Sequence, residues 1–305
     1  MHPTNAKELQ SSIVNRQSFM TLMTTGTLYL VATPIGNLED VSLRALRVLK
    51  ESDLIACEDT RHTARLLNHY GIRTPRESCH EHNEAVRTGR FLEMLRSGKT
   101  IALVSDAGMP LISDPGHLVV SACRKEGIPV VPIPGPSAVT VALAASGLAS
   151  DSFHFAGFLP PRAEARRRRL RELSAIPATL VLFEAPHRIL SALEDMVEIL
   201  GPRKSSLGRE LTKVHEEFLH GTLREILEAL RSRPRVQGEI TLVIERGEPA
   251  RETSSWPPSI EEHLKEEMAR TGAAHKEALK SVARQRGISR REAFRQLVNE
   301  KSAAD

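Results

Sequence analysis

From Thr27 onward the chain alternates short apolar runs with segments whose apolar residues recur three or four positions apart. "TLYLVAT" reads as a strand, and Ser42 opens a helix in which Leu43, Leu46 and Leu49 share one face. "LIACED" is the next strand, and Arg61 to Tyr70 the next helix, closed by Gly71 as its C′ residue. "ESCH" is a weak strand, Glu84 to Arg96 a helix, and "TIALVSD" a buried strand. Pro115 and Pro136 suit the first turns of the two helices that follow, and Gly127 closes the first of these. Strands alternating with helices over such short connections predict a mainly parallel α/β sheet. A second series begins with "FHFAGF", a basic helix, "ATLVLFE" and "HRILSALEDMVEIL". It continues through "SSLGREL", "VHEEFLHG", "LREILEALRS" and "GEITLVIERG", and its two successive strands predict a mixed sheet. The pattern divides the chain into a disordered leader (1–26), two α/β domains (27–148 and 149–247), a linker (248–258) and a helical tail (259–305). The tail reads as helix-turn-helix-like, with two helices around Gly287 and Ser289 as an N-cap.

Composition narrows the function classes. The 305 residues carry 42 Lys plus Arg against 38 Asp plus Glu, a net charge of +4 that allows an anionic partner without requiring one. Cys57, Cys79 and Cys123 are odd in number and lack CxxC spacing, which argues for a reducing cytoplasm and against disulfides or a zinc knuckle. No apolar run approaches the roughly 20 residues of a membrane helix, and residues 1–25 are polar, with no signal-peptide core. Met20 and Met23 are alternative starts. The chain has no GxxxxGK[ST] loop, and no GxGxxG follows its first strand, so a nucleoside-triphosphate enzyme and an ordinary dinucleotide fold are disfavoured.

Ligands of open α/β sheets sit beyond the carboxyl ends of the strands. Four polar turns occupy such places: "TPIGNLED", "CEDTRHT", "SDAGMPLISDP" and "PGPSA". Taken singly, each is compatible with ordinary turn and cap residues; four on one sheet argue for a site. Asp106 and Asp114 are compatible with metal ligation, joined by Asp59, with acid–base work, or with capping. His80 and His82 beside Cys79 are too few for a zinc site. Six arginines crowd one predicted helix: Arg162, Arg166, Arg167, Arg168, Arg169 and Arg171. Without lysine among them they suit bidentate phosphate contacts, the alternative being a solvated helix face. Aromatic residues at 4% argue against stacking along extended single strands.

The longer motifs run in a distinctive order. "YLVATPIGNLEDVSLRALRVLKESDLIACEDTRHT", "HEHNE", "IALVSDAGMPLISDPG", "VVPIPGPSA", "GFLP", "FEAPHR", "GRELTKVHEEFLHGT" and "GEITLVIE" together resemble the ribosomal RNA small subunit methyltransferase I family, within the tetrapyrrole-methylase superfamily. The resemblance spans Thr27 to Glu245. It implies a two-domain, class III methyltransferase fold and a homodimer. It also implies transfer of a methyl group from S-adenosylmethionine to the ribose 2′-hydroxyl of a decoding-centre cytidine in 16S RNA, without metal, membrane or DNA. Pro34, Gly36, Asp106, Ala107, Gly108, Met109, Gly135, Ser137, Ala138, Phe183, Glu239, Ile240 and Thr241 are then expected around the donor. Asp114 is expected to cap the helix opening at Pro115. Because a ribose hydroxyl is a poor nucleophile, a positioned proton acceptor is also expected. Its candidates are Asp59, His62, Glu210 and Glu217, with Arg61 and Lys213 as electrostatic partners. The turn Pro34-Ile35-Gly36-Asn37 departs from the Gly-Pro-Gly-Asp of the tetrapyrrole enzymes, which disfavours a tetrapyrrole substrate; a noncatalytic RNA-binding assembly protein is the other alternative.

Overall fold

The computed structural model describes residues 25–247, 257 and 259–302, so the expected leader (apart from Thr25 and Gly26) and most of the expected linker lie outside the described residues. The chain forms two compact units, Met1–Arg246 and Gly247–Asp305. The first sheet is built from β1 (Leu28–Val31), α1 (Leu43–Glu51), β2 (Leu54–Cys57), α2 (Thr60–His69), β3 (Arg76–Ser78), α3 (Glu84–Arg96), β4 (Ile101–Val104), α4 (His117–Lys125), β5 (Val130–Ile133) and α5 (Ala138–Ala145). Its strand order is β3-β2-β4-β1-β5, with every pair parallel. Every residue of β2 and β4 is buried because helices cover both faces, which is why these strands read as unbroken apolar runs. Alternate side chains serve opposite cores. Leu28, Ala56, Ile101 and Leu103 pack with Phe91, Leu95, Val119 and Cys123 of α3 and α4. Val31, Ile55, Cys57, Ala102 and Val104 pack with Leu49, Leu66 and Leu67 of α1 and α2.

The second sheet contains β6 (Phe153–Phe158), α6 (Ala163–Ser174), β7 (Thr179–Glu184), α7 (Ile189–Leu200), β8 (Lys204–Arg209), β9 (Glu217–Thr222), α8 (Leu223–Arg231) and β10 (Ile240–Ile244). The order is β6-β7-β10-β8-β9; β6 and β7 run parallel and the other pairs antiparallel, the mixed sheet expected from two successive strands. Leu170, Leu173, Leu193, Met196, Ile226 and Leu230 of α6, α7 and α8 cover one face. Against the other face lie Val139, Ala142 and Leu143 of α5, together with Ile35 and Leu211. Thus α5 belongs by sequence to the first sheet and by packing to the second, and it joins the two.

The tail unit is a separate cluster of α9 (Ile260–Thr271), α10 (His275–Gln285) and α11 (Arg290–Ser302), with Ile260, Leu264, Leu279, Val282, Ala293 and Leu297 at its centre. The Ser289 hydroxyl accepts from Glu292 N at 3.2 Å, the capping expected of it.

Three expectations are corrected. Helix α4 starts at His117, so Pro115 lies outside it, and Gly116 at φ 125° occupies the N-cap position. Asp114 does not cap that helix. Glu84, 6% exposed, reaches across from α3, and its Oε1 accepts from Gly116 N at 3.1 Å and Leu118 N at 2.7 Å. A carboxylate there complements the partial positive charge of the helix end. Pro136 likewise precedes α5, whose N-cap is Ser137.

Candidate active site

The loops after β1, β2, β4 and β5 gather at one rim of the parallel sheet. The first two cores are continued there by a short antiparallel bridge: Thr33 N donates to Gly108 O at 2.9 Å and Gly108 N to Thr33 O at 3.0 Å. Thr33 Oγ1 donates to Ser105 O at 3.1 Å, and Asp59 N donates to Asp106 Oδ1 at 3.1 Å. Opposite this rim stands the turn after β8. Its Asn37 contact, from the backbone N to Thr212 Oγ1 at 3.1 Å, ties it to the first loop. Gly36 is required by that approach, since a Cβ there would come within 2.4 Å of Lys213 Cγ.

Between rim and turn lies a cavity of about 360 Å³. Ten of the thirteen residues expected around a donor line it: Asp106, Ala107, Gly108, Met109, Ser137, Ala138, Phe183, Glu239, Ile240 and Thr241. Pro34 lines a second cavity of about 250 Å³, with His62, Arg65, Ser105 and again Asp106. Gly36 and Gly135 line neither and act through close packing, a Cβ at Gly135 falling 2.8 Å from that of Ala32. Sequence reasoning missed Ile35, Ile112, Phe158, Glu184, Pro186 and Leu211 in the first cavity, and it gave Asp114 a different role. Only "GFLP" and "FEAPHR" carried a signal for Phe158 and Glu184, as motifs without an assigned function.

Among the described residues, four non-glycine residues have positive φ: Leu111 (71°), Ser113 (70°), Glu210 (53°) and Thr212 (64°). All four fall in the two segments that face each other across the cavity. Left-handed backbone at bulky or β-branched residues costs of the order of 1 kcal/mol each and persists where the surroundings over-determine it. These segments are therefore held in shape by the fold.

The electrostatics separate the proton-acceptor candidates. Asp59 is the N-cap of α2, accepting from Arg61 N at 2.8 Å, and it pairs with the Arg61 guanidinium at 3.0 Å. That side-chain pairing holds its carboxyl at about 2. Glu217 is clasped by Arg233 at 2.6 Å and Arg209 at 2.9 Å, which also brings it to about 2, and it lines neither cavity. Burial acts to raise the Glu210 carboxyl, but hydrogen bonds from Lys213 Nζ at 2.9 Å and Glu239 N at 2.9 Å prevail and lower it. Lys213 also reaches Glu239 at 3.2 Å, so these three residues form one charged cluster beside the cavity. Asp114 departs in the opposite direction: burial first, then the negative charges of Glu58 and Asp106, push it to about 6. His62 is exposed and faces the second cavity.

The arginine run divides. Arg166, 6% exposed, bonds Asp195 Oδ2 through Nε at 2.6 Å and is a core residue, because a buried aspartate requires a cationic partner. It is thereby removed from any RNA-facing set. Arg167 holds the other oxygen of Asp195 at 2.7 Å, and Arg169 pairs with Glu172 at 2.9 Å. Arg162, Arg168 and Arg171 are exposed and form none of the ion pairs among the described residues.

Among the described residues, no three His, Cys, Asp or Glu side chains are grouped as a metal site, and no helix is long and apolar enough to cross a membrane. The cavity's residues fit a small organic ligand with an apolar body and polar ends. Phe158, Phe183, Met109 and Ile240 supply the walls, while the buried Glu184 has one oxygen held by Ala185 N and Arg188 and the other, Oε2, without a partner.

Two α/β sheets bridged by a helix, with a walled cavity at the rim of the parallel one, are the fold of the tetrapyrrole-methylase class of methyltransferases. Residues 27–227 match the family model described as Tetrapyrrole (Corrin/Porphyrin) Methylases. Solved structures share the fold. Diphthine synthase superposes with a TM-score of 0.57 at 16% identity, covering 72% of this chain and 90% of that one. Uroporphyrin-III C-methyltransferase from Thermus thermophilus, complexed with S-adenyl homocysteine, gives 0.51 at 21%, covering 72% and 97%. Ribosomal RNA small subunit methyltransferase I of Halalkalibacterium halodurans is 49% identical over 282 residues, 92% of this chain and 97% of its own. The enzyme of the same name from Pseudomonas aeruginosa is 53% identical over 205 residues, 67% and 73% of the two chains. The chain belongs to the ribosomal RNA small subunit methyltransferase I family, within the tetrapyrrole methylases.

Proposed function

We propose that the chain transfers a methyl group from S-adenosylmethionine to the ribose 2′-hydroxyl of a cytidine at the decoding centre of 16S ribosomal RNA, in the cytoplasm and as a homodimer. The observation that carries this reading is the meeting of two cavities at Asp106, one fitted to a donor and the other open to an acceptor. The donor occupies the larger, with the turn Asp106 to Met109 against its methionine portion and Phe183 and Glu239 to Thr241 closing from the second sheet. S-adenosylmethionine supplies an electrophilic methyl carbon when bound. The protein's task is to bring the acceptor oxygen in line at about 3 Å and to exclude water. His62, Arg61 and Arg65 stand where an RNA backbone would enter the smaller cavity, and Asp59 fixes the start of the helix that carries them. Lys213, held by Glu210 and Glu239, orders the opposite wall; Glu217 acts further out, through β9. The exposed Arg162, Arg168 and Arg171 supply phosphate contacts.

The test is transfer of tritiated methyl from S-adenosylmethionine to small ribosomal subunits from cells lacking this enzyme, followed by nuclease digestion and mass mapping. One 2′-O-methylcytidine in the decoding centre is the expected product. Label in a base, in ribosomal protein or nowhere would overturn the proposal.

A further inference from the structure

The ribose hydroxyl must lose a proton as its oxygen meets the methyl group, and the candidates named from sequence are poorly placed to take it. Asp59, Glu210 and Glu217 are each committed to cationic partners and have lowered proton affinity. His62 lines only the second cavity, whereas the acceptor oxygen must reach a methyl group in the first. Of the carboxylates lining the first cavity, Asp106 ties the start of α2 by accepting from Asp59 N, Glu184 is charge-paired with Arg188 through Oε1 while its Oε2 is unpartnered, and Glu239 pairs with Lys213. Asp114 is the remaining one: a hydrogen bond from the Ser105 hydroxyl acts to lower its proton affinity, but it forms none of the ion pairs among the described residues and anchors no other element.

Its setting is that of a base. Asp114 is half-buried in the cavity wall, on the same loop as the turn Asp106 to Met109, so donor and carboxylate are positioned by one piece of backbone. That backbone is fixed by Leu111 and Ser113 at positive φ and by Glu84, which holds Gly116 and Leu118 from behind. The charged groups facing it are Glu58 at the end of β2 and Asp106 at the end of β4, with the Ser105 hydroxyl as its polar neighbour. Glu58 in turn faces His80, Asp59 and Asp106. Burial first, and then these two carboxylates, make Asp114 more willing to hold a proton than an ordinary aspartate. A base with proton affinity raised toward neutrality, yet ionised at physiological pH, combines availability with driving force.

Resting on the ribosomal RNA reading above, we infer that Asp114 is the catalytic base. Its carboxylate takes the 2′-hydroxyl proton, and the oxygen lone pair forms the new O–CH₃ bond. The C–S bond breaks with its electron pair left on sulfur, so the positively charged donor leaves as neutral S-adenosylhomocysteine. The proton remains on Asp114 until solvent removes it.

Three measurements on the full chain test this. Carboxyl-carbon NMR of protein labelled with ¹³C-aspartate should show one resonance titrating near pH 6, absent from Asp114→Asn. Calorimetry with S-adenosylhomocysteine and filter binding of small subunits should give unchanged affinities for that variant. Its single-turnover methyl transfer should fall by about a hundredfold or more, within the usual span for a lost general base. The rise of the unaltered protein's rate through pH 6 should disappear with it. Glu58→Gln should move both the NMR midpoint and the rate midpoint to lower pH together, which a purely structural Asp114 would not produce. Asp114→Asn transferring at the original rate, keeping the pH dependence, or losing donor affinity in step with rate would overturn the assignment. Absence of transfer by the unaltered protein would overturn the ribosomal RNA reading, and this one with it.

Discussion

At the scale of single residues, Asp114 weakens the fold that holds it. Its folded carboxyl titrates near 6, against 3.8 for a free aspartate. Between those values the folded chain binds more of this proton than the unfolded chain, so stability falls as pH rises across the interval and stays lower above it. The full shift corresponds to roughly 3 kcal/mol, which partial exposure to water reduces to about 1 kcal/mol. Asp114→Asn should therefore melt about 2–4 °C higher than the unaltered protein at pH 7.5, with the gap closing towards pH 4; scanning calorimetry across that range checks it. A residue that gains stability and loses turnover on substitution marks a site shaped for chemistry. Asp59→Asn gives the contrast. Asparagine caps helices about as well as aspartate, so methyl transfer should stay within a few-fold, whereas Asp59→Ala removes the cap and should move the denaturant midpoint down. The Asp106 to Met109 turn was legible from sequence because its small residues follow a buried strand. The role of Asp114 was not, because it depends on Glu58, from another strand, and on burial that no local pattern records.

At the scale of elements, the strands were legible because parallel strands covered on both faces leave unbroken apolar runs, as in Leu54–Cys57 and Ile101–Val104. The start of α4 was misplaced because its cap comes from Glu84, more than thirty positions upstream, and not from the neighbouring Asp114. Helix α6 shows the same limit: six arginines look alike in sequence, yet Asp195, 3% exposed and set on α7, selects Arg166 for the core. Arg166→Ala should lower stability by about 2–3 kcal/mol, since Arg167 still partners the buried carboxylate, with little direct effect on RNA. Combined alanine substitution of Arg162, Arg168 and Arg171 should do the reverse, leaving the melt within about 0.5 kcal/mol and flattening the salt dependence of RNA binding by two to three log units per log unit of salt, roughly one per phosphate contact. Paired melts and filter-binding titrations distinguish the two outcomes.

At the scale of the whole molecule, the cores of the two sheets include, among the described residues, none beyond Ile244, and the tail unit has a core of its own. A chain ending at Gly247 should retain the fold and the S-adenosylhomocysteine affinity of the full protein; a lost cooperative melt would refute this. The strand orders carry a further consequence, for how such a chain comes to be folded at all. β1, made first, lies between β4 and β5, and β10, made last, lies between β7 and β8. Neither sheet can close as the chain is synthesised, and β1 must wait for partners more than seventy residues away. Pairings of that range are slow and leave unmatched strand edges exposed meanwhile. Until Ile244 arrives, β7 and β8 present two apolar edges with a gap of one strand between them, which makes the nascent second sheet the stage at which chaperones or self-association would compete with folding.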